Sequence, residues 1–419
     1  MTFTALHRVL GLPPGPITDE MLDEAVSAGV AETDDLDWKS ELPPTSNLSS
    51  TDVPKDIAAM ANGGGGVIVY GVEENQKAAT GRKDTGEFTE NHERTYRKVA
   101  VSAITPPLFG LEVHRLGSDP HAVAVVIPAS VDGPHLIYKG EYFGAPTRNN
   151  ADTEWMKERQ IEAAYRARFD ERRRSTEVLD QLYNETVAGR DTGVRAWLIA
   201  VAHPRVPGIG RMTRDEAREI LTSAKTITLT FSNQHGAHPI EVVDCLNPRP
   251  GLRRWVAPST ATGSQAWRDA WASVNRDGSV TLAAALGGHR KSTDGYRAAW
   301  EVEARGIEAA IADFAALIRA NGAALHHSEY EVRVGIEWIG EELLRVLTID
   351  GQQFDYDGVS TPLGAYTPVQ STIDAAASDA QFHAQVRELA EDCINHGGIS
   401  NLHVILPVPE ELEPSAEPQ

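Results

Sequence analysis

Two periods of apolar residues run along the chain, and they change places often enough to predict a mixed architecture. In LDWK (36–39) apolar and polar residues alternate. An extended chain then places Leu36 and Trp38 on one face, the core face, and Asp37 and Lys39 on the other. GVIVYGV (66–72) is apolar throughout, as a strand covered on both faces is. Between them VPKDIAAMAN (53–62) has helical spacing, with Pro54 in the first turn and Asp52 positioned to accept from free amides. Further short strands are expected in LEVHRL, HAVAVVIPA, HLIYKG and YFGAPTR. Ahead of these, Met21, Leu22, Ala25, Val26 and Val30 fall at helical spacing in a lead-in over 1–31.

Residues 153–187 lack Pro and Gly and carry mixed charge, which predicts one long helix or two abutting ones. AGRDTG (188–193) marks a boundary. Beyond it the pattern predicts strands at 194–202, 226–232, 279–285, 329–338, 343–349 and 402–406, and helices at 213–223, 296–320 and 378–395. Trp267 and Trp271 stand at i and i+4, the spacing of one helical face. The expected organisation is therefore α/β (α+β): a lead-in at 1–31, a first domain at 32–165, a helical connector at 166–190, a second α/β domain at 191–406, and a disordered acidic tail at 407–419.

Glycines 63–66 raise the question of a phosphate loop. The order here is helix, glycines, strand, and no Lys-Ser/Thr follows, which reverses what a nucleotide loop needs. ATP is therefore not expected. Asn62 and Gly63 are types that end a helix in the left-handed conformation, and Gly63, Gly64, Gly65, Gly66 and Gly71 suit a tight corner. That corner delivers Glu73 and Glu74 towards the end of LDWK. An acid-x-Lys pair beside further carboxylates is chemistry that Mg²⁺ or Mn²⁺ can use on a phosphodiester.

Composition narrows the partners. Sixty acids against 39 bases give a formal charge of −21, so phosphates are repelled by the surface as a whole and nucleic acid needs a local basic patch or a metal. Two distant cysteines suit a reducing cytoplasm and read as buried apolar residues. No secretion signal or membrane span is expected. His235 and His238 lack the partners of a zinc site.

Leu36, Asp37, Trp38 and Lys39, then Lys55, Ile57, Ala59, Ala61, Asn62, Gly65, Gly66, Gly71, Val72 and Glu73, with Gly81 after them, resemble the signature of the Schlafen AlbA-type domain, also described as divergent AAA or DNA-binding. PHLIYKGEYFGAPTRNNADTEWM resembles its closing stretch. The resemblance covers about 32–165 and implies a bacterial-type nucleic-acid-binding protein. It further implies a metal-dependent RNase acting on structured RNA, with Glu32, Asp37 and Glu73 as acids, Glu74 alternating with Glu73 in holding Mg or Mn, and Lys39 supporting the phosphate. The chain departs from the family in having Asp37 rather than Glu, Trp38 rather than Phe, and TRNNADT rather than Arg-x-Gly-Ser. Lys39, Arg82, Lys83, Arg97, Lys139 and Arg148 are candidate contacts to RNA or DNA. Tyr138, Tyr142 and Phe143 are candidates to stack on bases. The alternatives are a non-enzymatic DNA-binding regulator working as a homodimer, and an ATP-binding or protein-interaction module whose partner meets the C-terminal domain.

Overall fold

GVIVY is apolar at every position because both faces of its strand are covered. Val67 and Val69 point into one core, Ile68 and Tyr70 into another. The computed structural model describes residues 3–117, 119–208, 212–291, 295–325, 327–349, 355–356 and 360–408. The expected tail from 409 onward and the side chain of Lys139 lie outside the described residues. The chain divides into two units, Met1–Arg172 and Arg173–Gln419, and the fold is α/β in both.

In the first unit β1 (Leu36–Lys39) pairs parallel with β2 (Gly66–Tyr70), which pairs antiparallel with a later strand, Ala122–Ile127; Glu112–Leu116 closes the four-stranded sheet. Helices α1 (Ala5–Leu10) and α2 (Asp19–Ser27) cover the face carrying Leu36, Trp38, Val67 and Val69. Helices α3 (Val53–Asn62) and α4 (Glu90–Ser102) cover the other, with Ile57, Met60, Tyr96 and Val99. The alternation of LDWK holds. Trp38 is buried and its indole N–H donates to Val30 O at 3.0 Å, while Asp37 faces the α3 side.

The glycine run is the corner between α3 and β2. Gly65 has φ +91°, and a Cβ there would lie 2.7 Å from Ala129 N and 2.9 Å from Ile127 O. Gly65→Ala is therefore expected to destabilise the first unit by more than about 2 kcal/mol, through both backbone strain and overlap. Gly64→Ala, with no atom within 4 Å of its Cβ, carries only the strain. Urea denaturation of the two variants checks this, and equal losses would refute the close-approach account. Gly63, by contrast, is right-handed at φ −87°. Nor does Asn62 end the helix through a left-handed backbone. Its side chain ties the helix end to the residue before one strand and the first residue of another, donating to His135 O (2.9 Å) and Pro146 O (2.8 Å) and accepting from His135 N (2.7 Å). Asp52 makes no cap hydrogen bond; it pairs with Lys55 at 2.9 Å, and Thr51 Oγ1 accepts from Val53 N.

After Gly71 come β3 (Val72–Asn75) and β4 (Ala78–Arg82), an antiparallel hairpin with a bulge between Glu73 and Glu74. The helix expected from Thr153 begins at Glu158, because Asp152–Trp155 pairs with Pro146–Asn149 as a second hairpin. From there α5 (Glu158–Ala188) is continuous.

The second unit is built on a seven-stranded sheet with strands in the order Arg249–Gly251, Arg254–Ala257, Ala270–Asn275, Val280–Ala285, Trp197–Pro204, Glu329–Glu337 and Val369–Asp374. Helices α6 (Arg214–Ile227), α7 (Ala304–Leu325) and α8 (Asp379–Asn395) pack on it, with α7 buried along almost its whole length. Four local expectations fail: the helix expected from Tyr296 begins only at Ala304, after a short strand at Glu301–Glu303. TITLTFS (226–232) is the end of α6 followed by a 3₁₀ turn, Thr228–Thr230. Residues 402–406 contribute one isolated bridge, Ser232 to Ile405. Trp267 lies in a 3₁₀ turn and Trp271 in a strand, so they share no helix. Cys245 and Cys393 are buried and unpaired, as expected. No helix among the described residues is long and apolar enough to cross a membrane.

Candidate functional site

The parallel pairing of β1 with β2 decides whether the acids can meet. Lys39 lies opposite Tyr70, and the next amide, Gly71 N, donates to Lys39 O at 2.7 Å. The end of LDWK is thus fixed beside the start of β3. A cleft of about 520 Å³ opens there. Of the candidate acids and lysines, Glu32, Asp37, Lys39 and Glu74 line it, together with Asp56 from the first turn of α3 and Arg148 from the second hairpin. Glu73 does not line it: its carboxylate lies over Gly81, on the other side of the bulged strand.

Asp37 is the centre of the arrangement and is 2% exposed. Its Oδ2 is 2.5 Å from Lys39 Nζ, and its Oδ1 accepts from Arg148 Nη1 at 3.1 Å. Arg148 also donates to Thr33 O at 3.2 Å, and its side chain is 3% exposed. Arg148 was expected to meet phosphate; instead it is an internal counter-ion, too buried to reach a ligand's backbone. Glu32 is half-buried and accepts from Trp38 N at 3.0 Å. Burial, then the charges of Asp37 and Glu74, push its carboxyl up to about 7. Burial first, then Asp37 and Asp52, raise Asp56 to about 6. Burial works against the Lys39 ammonium, but Asp37, Asp56 and Glu32 outweigh it and keep the group charged.

Six carboxyl groups line the cleft (Glu32, Asp37, Glu41, Asp52, Asp56, Glu74) against four cations (Lys39, Lys55, Lys77, Arg148). An excess of carboxylate invites a divalent ion. The side chains do not converge to hold one. Among the described residues no three His, Cys, Asp or Glu side chains form a group that could hold a metal ion. Both oxygens of Asp37 face cations of the chain itself, and Glu73 is turned away. The expected ligand set Glu32, Asp37, Glu73 and Glu74 is not gathered around one point: Lys39 and Arg148 meet the two oxygens of Asp37, and Glu73 lies off the cleft.

The other candidate cations are also tied. Arg82 bridges to Asp19 and Asp23 of α2, both at 2.7 Å. Lys83 pairs with Glu41 at 2.7 Å, Lys77 with Asp152 at 2.5 Å, and Arg97 with Glu93 at 3.0 Å. The pairs of Lys83 and Lys77 are solvent-exposed at both partners, so a phosphate can compete for them at small cost. Tyr138, Tyr142 and Phe143 are exposed, on a hairpin formed by Leu136–Lys139 and Tyr142–Gly144. At the glycine corner the amides of Gly63, Gly64 and Gly65 donate to carbonyls of α3. They are spent on the helix end rather than turned outward to cradle an anion. Sequence reasoning missed Asp56, whose only signal was an acid in the first helical turn after Pro54.

Residues 32–157 match the family model described as Schlafen, AlbA_2, and this segment is a domain of that type. No curated protein matches the chain. Among solved structures, the N-terminal domain of a RecG-related protein from Nitrosomonas europaea is similar at 17% identity and TM-score 0.24, over 33% of this chain and 90% of that one. A protein from Corynebacterium diphtheriae is similar at 14% identity and TM-score 0.24, over 50% of this chain; the match spans a third (33%) of that protein's length.

Proposed function

We propose, taking the Schlafen AlbA-type domain at 32–157 as premise, that this protein binds nucleic acid through its first unit, and RNA with unpaired bases in preference to duplex DNA. The observation that carries the reading is a coincidence of place. Every residue lining the 520 Å³ cleft, from Glu32 to Thr153, falls inside the matched segment. Lys39, Lys55 and Lys77 offer ammonium groups to a phosphate backbone there, and the exposed rings of Tyr138, Tyr142 and Phe143 offer faces on which unpaired bases stack. The overall charge of −21 makes such binding local and dependent on salt. Metal-dependent hydrolysis of RNA would need Glu32, Asp37 and Glu74 to close around one ion. With Asp37 held between Lys39 and Arg148, binding is the function the geometry supports best.

Fluorescence anisotropy with a labelled RNA stem-loop and a duplex DNA, across a salt series in EDTA, tests this. RNA affinity is expected to fall linearly on log–log axes. Lys39→Ala and Lys77→Ala should each flatten the slope by about 0.7–0.9, one phosphate contact. An interaction indifferent to salt, or none with either polymer, refutes the reading; tighter binding to duplex DNA would favour a DNA-binding regulator instead.

A further inference from the structure

We propose that Arg148 is the built-in counter-ion of the cleft: together with Lys39 it gives Asp37 the positive charge a divalent ion would otherwise bring, and so the domain meets phosphate in a metal-free state. The reading of the cleft as a nucleic-acid site is assumed here. Arg148 is a positioning residue, acting through Asp37 on Lys39.

The geometry is that of a relay. The hairpin pairing sets Arg148 opposite Thr153, and the guanidinium reaches back across 111 residues of sequence to Asp37 Oδ1 at 3.1 Å. Its other nitrogen is anchored on Thr33 O at 3.2 Å, so the group is held from the β1 side as well. A planar donor fixed at two points holds the carboxylate plane and leaves Oδ2 turned to Lys39 at 2.5 Å. Arg148 and Asp37 are both nearly excluded from water, each side chain 3% exposed, whereas Lys39 is 38% exposed. The buried members therefore cannot leave, and the ammonium is the one that can turn to an incoming phosphate. A metal entering here would have to displace a guanidinium from a carboxylate and leave it buried without its partner, a large penalty in a dry site.

Thermal unfolding with and without Mn²⁺, and calorimetric titration with Mn²⁺ alone, test the assignment. The wild-type midpoint is expected to be the same in millimolar Mn²⁺ and in EDTA. Arg148→Met removes the counter-ion, lowers the midpoint, and should gain a Mn²⁺-dependent upward shift of several degrees that the added Asp37→Asn change abolishes; Arg148→Lys should keep the metal-indifferent behaviour. A general loss of packing would not create an Asp37-dependent response to a cation. Should Arg148→Met fail to fold, Lys39→Met, altered at the partly exposed end, is expected to take up Mn²⁺ in the titration. Stoichiometric Mn²⁺ binding by the wild type that Asp37→Asn removes overturns the proposal, and so does the absence of any Mn²⁺ response in both variants. Failure of the nucleic-acid reading is seen separately, as a protein that ignores Mn²⁺ and also binds neither RNA nor DNA.

Discussion

Asp313→Ala is expected to cost the second unit about 3–5 kcal/mol, a large part of the 5–15 kcal/mol by which a domain of this kind is stable. Asp313 lies on α7 and is 1% exposed. One oxygen accepts from Thr228 Oγ1 at 3.0 Å and from His238 Nδ1 at 2.7 Å; the other accepts from Ile240 N at 2.9 Å. The second ring nitrogen of His238 faces Asn233 O at 2.8 Å. Both partners of the ring are acceptors, so both nitrogens must donate and the ring is held as imidazolium. Burial acts against that charge, and the hydrogen bond and charge of Asp313 outweigh it, raising the His238 value above 6.5. A raised value favours folding in full below about pH 6.5 and loses that contribution as pH climbs through the folded-state value. Truncation at Asp313 leaves three donors without an acceptor, one of them charged. Urea unfolding should show the loss to be largest at acid pH, where the orphaned ring must be charged, with Asp313→Asn falling between. A loss below about 1 kcal/mol at every pH would mean that His238 is neutral and the account of this cluster is wrong.

The same helix explains where sequence reasoning stopped. LHVIL (402–406) has the apolar content of a strand, but three of its amides go to a side chain. Glu308 on α7, fully buried, accepts from His403, Val404 and Ile405 N at 2.8, 2.6 and 3.2 Å. TITLTF is rich in β-branched residues, but Thr228 in it turns to Asp313, and tertiary contact overrides propensity. In the first unit the legible features were local. The alternation of LDWK, the apolar run of GVIVY and the glycine corner between helix and strand each follow from a few neighbouring side chains. They pointed to Glu32, Asp37, Lys39 and one of Glu73 and Glu74 as neighbours. What stayed hidden depends on distant chain. Nothing near position 148 marks its arginine for burial against Asp37. The bulge between Glu73 and Glu74 breaks the period of two, so alternation could not say which of the pair faces the cleft. Of the departures from the family, only Asp37 falls on the relay: the shorter acid is the one that Arg148, the arginine that the altered stretch retains, reaches.

Nucleic-acid binding should weaken about fivefold to tenfold between pH 6 and pH 8 at fixed salt. Two carboxyls in the cleft change charge in that interval. Glu32, held up to about 7 chiefly by burial, faces Asp37, Glu74 and Lys39; Asp56, held up to about 6 chiefly by burial, faces Lys39, Asp37, Lys55 and Asp52. Below pH 6 both are largely neutral, and Lys39 is shared among fewer negative charges. Above pH 7 both are ionised and stand in the path of the phosphate. One unit charge about 8 Å from a phosphate, at an effective dielectric near 20, is worth about 2 kcal/mol, and physiological salt reduces this to about 1 kcal/mol. A phosphate that draws Lys39 away from these acids raises their values further, so binding takes up protons, and the affinity must fall as pH rises. Glu32→Gln keeps the acceptor for Trp38 N while removing the charge. It should bind more tightly than the wild type at pH 8 and equally at pH 5.5, leaving only the lower part of the profile, from Asp56. Anisotropy titrations across pH 5.5–8 decide the matter: an affinity flat in pH, or a Glu32→Gln profile that overlays the wild type, would show that the phosphate does not approach these carboxyls and would move the binding surface away from the cleft.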